Sequence, residues 1–195
     1  MRRRLVYILA ALMMTACASG VEPISIHDSS VPIEGRRLIA DAQDGVAIAR
    51  AKRDEASQEL RRMEGWRRQI RSHTDWPSGS STAVTALNNM ADSRVRLAQM
   101  RRDRAEIAIE LAEMELEMIT ARVAVRNDLA VYDLDALLER LNRRQNVARD
   151  LDREITLHME RLNEVSQQWW SAFSAFVRQG GDATAFYPIF ERPLI

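Results

Sequence analysis

The chain has 195 residues, 28 basic and 28 acidic side chains, a formal net charge of zero and a single cysteine, Cys17. Balanced charge gives no electrostatic reason to expect a nucleic-acid partner, which would call for a clustered excess of Lys and Arg. One cysteine excludes an internal disulfide, so the fold must be held by burial alone, and the length suits one domain at about 150 residues per domain.

At the N-terminus, Met1-Arg2-Arg3-Arg4 precedes an apolar run from Leu5 to Met14 and then Thr15-Ala16-Cys17. The arginines form a positive n-region, the run has the length of a signal h-region, and the residues before the cysteine are small, as a signal peptidase requires. The run is too short for a transmembrane helix, which needs about 20 apolar residues. Met14-Thr15-Ala16-Cys17 resembles the lipobox of bacterial lipoproteins, with Met14 where Leu is usual. The resemblance is confined to the leader and the cysteine. It implies removal of residues 1–16, a diacylglycerol on the Cys17 sulfur and a further acyl chain on the new amino terminus, so that the first expected partner is a membrane. Two acyl chains already hold stably. In proteobacterial sorting an Asp directly after the cysteine retains a lipoprotein at the inner membrane. Ala18 therefore points to the outer membrane, with the protein facing the periplasm. Loss of Arg2, Arg3 and Arg4 leaves 25 basic residues against 28 acidic.

Residues 17–35 read as the lipidated cysteine and a flexible tether, because Gly20, Pro23, Pro32 and Gly35 punctuate a polar stretch without helical period. At about 3.3 Å per residue such a segment could span on the order of 50 Å. His27-Asp28 falls within it and supplies too few ligands for a metal site.

Residues 36–179 carry a seven-residue hydrophobic period and predict an all-α fold. In the first segment, about 36–72, Ile39, Val46, Arg53, Leu60 and Arg67 share one column and Ala42, Ala49, Ala56, Met63 and Ile70 another. Pro77 and Gly79 then break the helix, with Ser80 or Ser81 available to cap the next. The second segment, about 82–127, has columns through Met90, Leu97, Arg104, Leu111, Met118, Val125 and through Met100, Ile107, Met114, Ala121. A small-residue column, Ala91, Ala98, Ala105, Ala112, lies beside them. Its apolar stripe is too wide for one partner and suits a bundle. The third, about 134–178, is the most regular, with Leu134, Leu141, Ala148, Ile155, Leu162, Trp169 and Phe176 seven apart. No Gly or Pro separates segments two and three. The reversal at 127–133 is inferred from Asp128, Asp133 and a jump of nine residues, instead of seven, between Val125 and Leu134. The predicted architecture is an elongated antiparallel three-helix bundle with a C-terminal tail, 180–195, that begins at the capping pair Gly180-Gly181.

Arg104, Arg144 and His158 interrupt the seams, either as a buried polar site or register device or as long side chains that reach past the seam edge. His27, His73 and His158 lack the i, i+4 companion of a helical zinc pair, and no phosphate-cradling glycine loop is present. No catalytic residue, metal ligand or cofactor is expected, and the chain does not read as an enzyme. The candidates for recognition are Trp169, Trp170, Phe173, Phe186, Tyr187 and Phe190, aromatics of the kind favoured at partner surfaces and equally suited to closing the end of a bundle. The exposed tip at 127–133 is a second candidate, since loops carry function more often than scaffold does. The run Asp103 to Arg126 looks like the helical hairpins of periplasmic efflux adaptors and outer-membrane efflux channels, but the strand-rich domains that accompany those hairpins have no counterpart here.

The functional expectation is a membrane-tethered structural or adaptor component of the cell envelope, acting on an envelope protein or on a second copy of itself. A carrier or chaperone for an apolar ligand is the alternative, encouraged by Met90, Met100, Met114 and Met118, because methionine adapts to varied shapes.

Overall fold

A computed structural model describes residues 29–190. The leader, Cys17, Ala18, His27-Asp28 and the Pro193-Leu194-Ile195 end lie outside the described residues. The elements are α1 (Ile33–Ser72), α2 (Ser81–Arg126), α3 (Leu134–Arg178), a 3₁₀ turn (Ala183–Phe186) and a short α4 (Tyr187–Phe190). Among the described residues there is no strand. The three long helices have 40, 46 and 45 residues, about 60 to 70 Å each at 1.5 Å per residue. They pack antiparallel into a three-helix bundle with the proportions of a rod, as the heptad columns predict.

α1 starts earlier than the sequence suggested. Val31 is already buried beside Ile39 and Val123, so the packed body begins inside the stretch assigned to the tether. Gly35 fits here because of a close approach: a Cβ would meet Val123 Cγ1 at 2.9 Å and Val31 Cγ1 at 3.2 Å.

The two reversals work differently. Between α1 and α2 the chain turns through Pro77 and Gly79, the latter at φ +81°. Ser80 does occupy the N-cap position, but its hydroxyl donates to the Pro77 carbonyl at 2.7 Å instead of accepting from a helix N–H. Its backbone is already helical (φ −82°, ψ −1°), whereas a side-chain cap needs extended geometry. Ser80 therefore closes the loop and not the helix end. Between α2 and α3, Asp128 takes the left-handed conformation at φ 52°. The Leu129 N–H reaches the Ala124 carbonyl at 2.9 Å and the Asp128 N–H reaches that of Val125 at 3.3 Å, a complete Schellman termination. Asp128 thus ends α2, while Asp133 starts α3 by accepting from the Ala136 N–H at 2.9 Å.

α2 is the middle helix. α1 and α3 each lie along it, and their backbones do not run side by side. The breadth of the α2 apolar stripe follows from this: it has two partners. α2 buries Leu87, Met90, Ala91, Val95, Leu97, Ala98, Ile107, Met118, Val123 and others, whereas α3 buries Leu141, Ala148, Trp169 and Phe176. Of the small-residue column, Ala91 and Ala98 are buried, while Ala105 and Ala112 are half-buried. The buried residues gather at the two ends, one cluster around Trp66, Leu87, Met90 and Phe186 and another around Val31, Ile39 and Val123. A smaller group of Met63, Val95 and Ala98 stands between them.

Charge pairs tie the helices where the core is thin. Arg50 meets Glu113 at 2.9 Å and Arg53 meets Glu106 at 3.2 Å across α1 and α2. Across α2 and α3, Arg104 meets Asp152 at 2.8 Å, Arg144 pairs with Glu110, and Arg140 pairs with Glu117. His158 Nε2 donates to the Ser93 carbonyl at 2.9 Å, which fixes the proton on that nitrogen. The three seam interruptions are therefore half-buried ties to the facing helix. Each such pair at the surface contributes about 0 to 1 kcal/mol.

The left-handed residue gives a direct test. Replacing Asp128→Gly removes about 1 kcal/mol of conformational strain and restores part of it as unfolded-chain entropy. Urea unfolding is expected to show a net gain of roughly 0.5 kcal/mol; a loss would mean that the Asp128 side chain makes a tie of its own.

Candidate functional site

The last turns of α3 carry Trp169, Trp170, Phe173 and Phe176. At 100° per residue, Trp169, Phe173 and Phe176 fall on the inward face and Trp170 turns away from it. Gly180, at φ +84°, then ends the helix: the Gly181 N–H reaches the Phe176 carbonyl at 3.1 Å and the Gly180 N–H reaches that of Val177 at 3.0 Å. The two glycines serve different needs. Gly180 has open space but a backbone angle that side chains rarely adopt, while a Cβ on Gly181 would overlap the Phe176 ring.

Asp182 organises the next turn, accepting the Thr184 N–H at 2.9 Å and the Thr184 hydroxyl at 2.7 Å. The Thr184 hydroxyl, and after it the N–H, hold this carboxyl below its ordinary range. So directed, Phe186 folds back onto the bundle. Its ring centroid lies 4.9 Å from Trp76, 5.2 Å from Phe173 and 5.8 Å from Phe176. Across the bundle, the Trp66 indole N–H donates to the Ile189 carbonyl at 3.1 Å. The tail is thus a strap from the end of α3 to α1.

The six aromatic candidates divide. Trp169 and Phe186 are core, Phe173 is half-buried, and Trp170 and Tyr187 remain exposed, Trp170 at 58%. Phe190 belongs to the last short helix, and its side chain is outside the description. The exposed and half-buried members are not scattered. With Met90 and Arg94 they line a cleft of about 340 Å³ between α2, α3 and the tail.

Arg94 was not singled out from the sequence, where it is one arginine beside the seam residue Val95. In the fold its guanidinium sits 5.3 Å from the Trp66 ring centroid, a cation over an aromatic face. It has no hydrogen bond or ion pair with a described residue. Burial lowers its pKa from the ordinary arginine value, and the charge of Glu59 partly offsets this. Arginine still stays protonated at any physiological pH. The only other hydroxyl in the wall besides that of Tyr187, Ser166 Oγ, is occupied as donor to the Leu162 carbonyl at 2.7 Å.

The opposite end holds a second open cleft, of about 620 Å³, between the start of α1 and the end of α2, lined by Leu38, Ile119, Val123, Arg122 and Arg126. Next to it is the tip at 127–133, where Val131 is 98% exposed. His73 is taken up by an edge contact with Trp76 at 4.4 Å. Of the methionine column, Met90 and Met118 are buried and Met100 and Met114 half-buried. Among the described residues no group of three or more His, Cys, Asp or Glu is placed to hold a metal ion, and no helix is long and apolar enough to cross a membrane. No protein-family model matches the chain, and neither a curated protein nor a solved structure is detectably similar to it.

Phe186→Ala is expected to cost about 3 to 5 kcal/mol in urea unfolding, as for other fully buried aromatics, whereas Trp170→Ala should change stability by less than about 0.5 kcal/mol. The glycine pair gives a second contrast. Gly180→Asn should be tolerated, since Asn adopts left-handed geometry, and Gly181→Asn should cost about 1 to 3 kcal/mol by displacing Phe176. Equal losses at the two glycines would remove the steric account.

Proposed function

We propose that the protein is a lipid-anchored helical adaptor of the bacterial cell envelope, held at the outer membrane through acyl chains on Cys17 and acting through the surface of its rod on an envelope protein or a second copy. The leader and lipobox-like residues supply the anchoring half of this reading. The adaptor half rests on one observation: large apolar side chains stand in water along the outer helices, among them Ile48 on α1 and Leu157, Met159 and Trp170 on α3. Contiguous apolar surface, not a scatter of single residues, marks a contact site, and Met159, Trp170 and Val177, spaced eleven and seven apart, fall on one face of α3. α1 and α3 each spend one face on α2 and keep the remainder of their surface free for others.

The test combines location with contact. Cys17→Ala is expected to move the protein from the membrane pellet into the soluble fraction of the envelope, a redistribution of at least ten-fold by quantitative immunoblotting. A photo-crosslinking residue at Leu157 or Trp170 in the Cys17 protein is expected to give one discrete adduct, absent when the same residue is placed on the polar position Glu154. Retention of the Cys17→Ala protein at the membrane would reject the anchor. A monomer free of adducts at every apolar position would reject the adaptor.

A further inference from the structure

The aromatic cleft has one cation, Arg94, and its other polar groups are the hydroxyls of Ser166 and Tyr187 and the indole N–H groups of Trp169 and Trp170. We infer that it is a binding site for an amphiphilic anion, a single apolar chain bearing a carboxylate, with the chain among Met90, Trp170, Phe173 and Tyr187 and the head on Arg94. This inference goes beyond the adaptor reading and does not rest on the lipid anchor.

Four observations converge on that class. The cleft, at about 340 Å³, falls at the small end of the range for organic ligands. Its wall is aromatic and thioether, surfaces that suit an apolar body without fixing its conformation. Arg94 is partly desolvated, has no hydrogen-bond partner among the described residues and lines the cleft. A guanidinium in that position gains charge-assisted bonds from an arriving carboxylate, whereas an ammonium head would be repelled. Finally, a peptide main chain finds few partners there. On the α2 and α3 walls the N–H and C=O groups are spent on the helical ladder, the Tyr187 N–H donates to the Thr184 carbonyl, and the Ser166 hydroxyl is already used. The neighbouring charges are Glu59, Arg62 and Arg101, which line a smaller cleft on the other side of Arg94. Glu59 is paired with Arg62, which limits its competition for Arg94.

All four tryptophans, Trp66, Trp76, Trp169 and Trp170, stand in or beside this end of the rod, so their emission reports on it. The full chain carrying Cys17→Ser is titrated with sodium laurate below its micelle concentration and, separately, with dodecyltrimethylammonium. The expected result is a saturable one-to-one change in emission with laurate and an affinity at least ten-fold weaker for the cation, a difference of 1.4 kcal/mol or more. Arg94→Met is expected to abolish that preference while keeping a cooperative urea transition. Arg94→Lys, which keeps the charge, is expected to retain it, and Trp170→Ala to weaken both ligands. A non-saturable response, equal affinity for the two head groups in the parent chain, or unchanged laurate binding by Arg94→Met would overturn the site.

Discussion

The structure depends on α2 having two partners. A helix with one neighbour needs an apolar stripe a little over 100° wide, and a helix between two needs nearly twice that. α2 supplies the width with its leucine and methionine columns and, at Ala91 and Ala98, with side chains small enough to bring a neighbour close. α1 and α3 are relieved of the demand. Each covers one side of α2 and leaves the rest of its surface polar or only loosely apolar, which is why so few α3 residues are fully buried. The uncovered face is a consequence of the packing order and not a gap in the core.

An open three-helix array has a weakness that a closed one lacks: nothing holds the outer helices at a fixed spacing. The tail answers this at one end. Gly180 reverses the chain, Asp182 and Thr184 set its direction, Phe186 plugs the end of the bundle, and the Ile189 carbonyl accepts from Trp66 on α1. Along the middle, ion pairs of modest individual worth tie the helices together instead. Their signs mix, with acids of α2 facing arginines of α3 at Glu110–Arg144 and Glu117–Arg140 and the reverse at Arg104–Asp152. Glu110 and Glu117 are seven residues apart, so a slip by one heptad would bring Arg144 opposite Glu117; these pairs tie the helices, and the buried columns choose the register.

Periodicity read the long helices closely because a seven-residue repeat sustained over 40 residues is a strong local signal. The ends were less legible where they rest on tertiary contact. Val31 follows no helical period, yet it is buried because the end of α2 approaches at Gly35. Ser80 was a reasonable cap by residue type, but its burial turned the hydroxyl toward Pro77. Trp169 and Trp170 could not be ranked by composition, since neighbours on a helix point 100° apart and only the packing decides which faces inward. Arg94 carried no sequence signal. Its significance comes from Trp66, 28 residues away on another helix, and from a tail whose path no heptad describes.

The two ends of the rod consequently differ in what they can do. The chain enters α1 at the end that holds Val31, Gly35 and the exposed tip, and the aromatic cleft lies toward the other, level with Trp66 and about 50 Å away along α1. Under the proposed anchoring, the entry end is the one joined to the membrane, through a segment long enough to let the rod stand or lie. When the rod stands, a cleft at the far end samples the space beyond the bilayer surface, and when it lies, the cleft is held at that surface. The same strap that closes the core also builds one of the cleft's walls, through Phe186 and Tyr187, so anything that orders or displaces the tail acts on stability and on the cleft together. Coupling of that kind needs no moving domain, because Phe186 is shared between the core and the cleft wall.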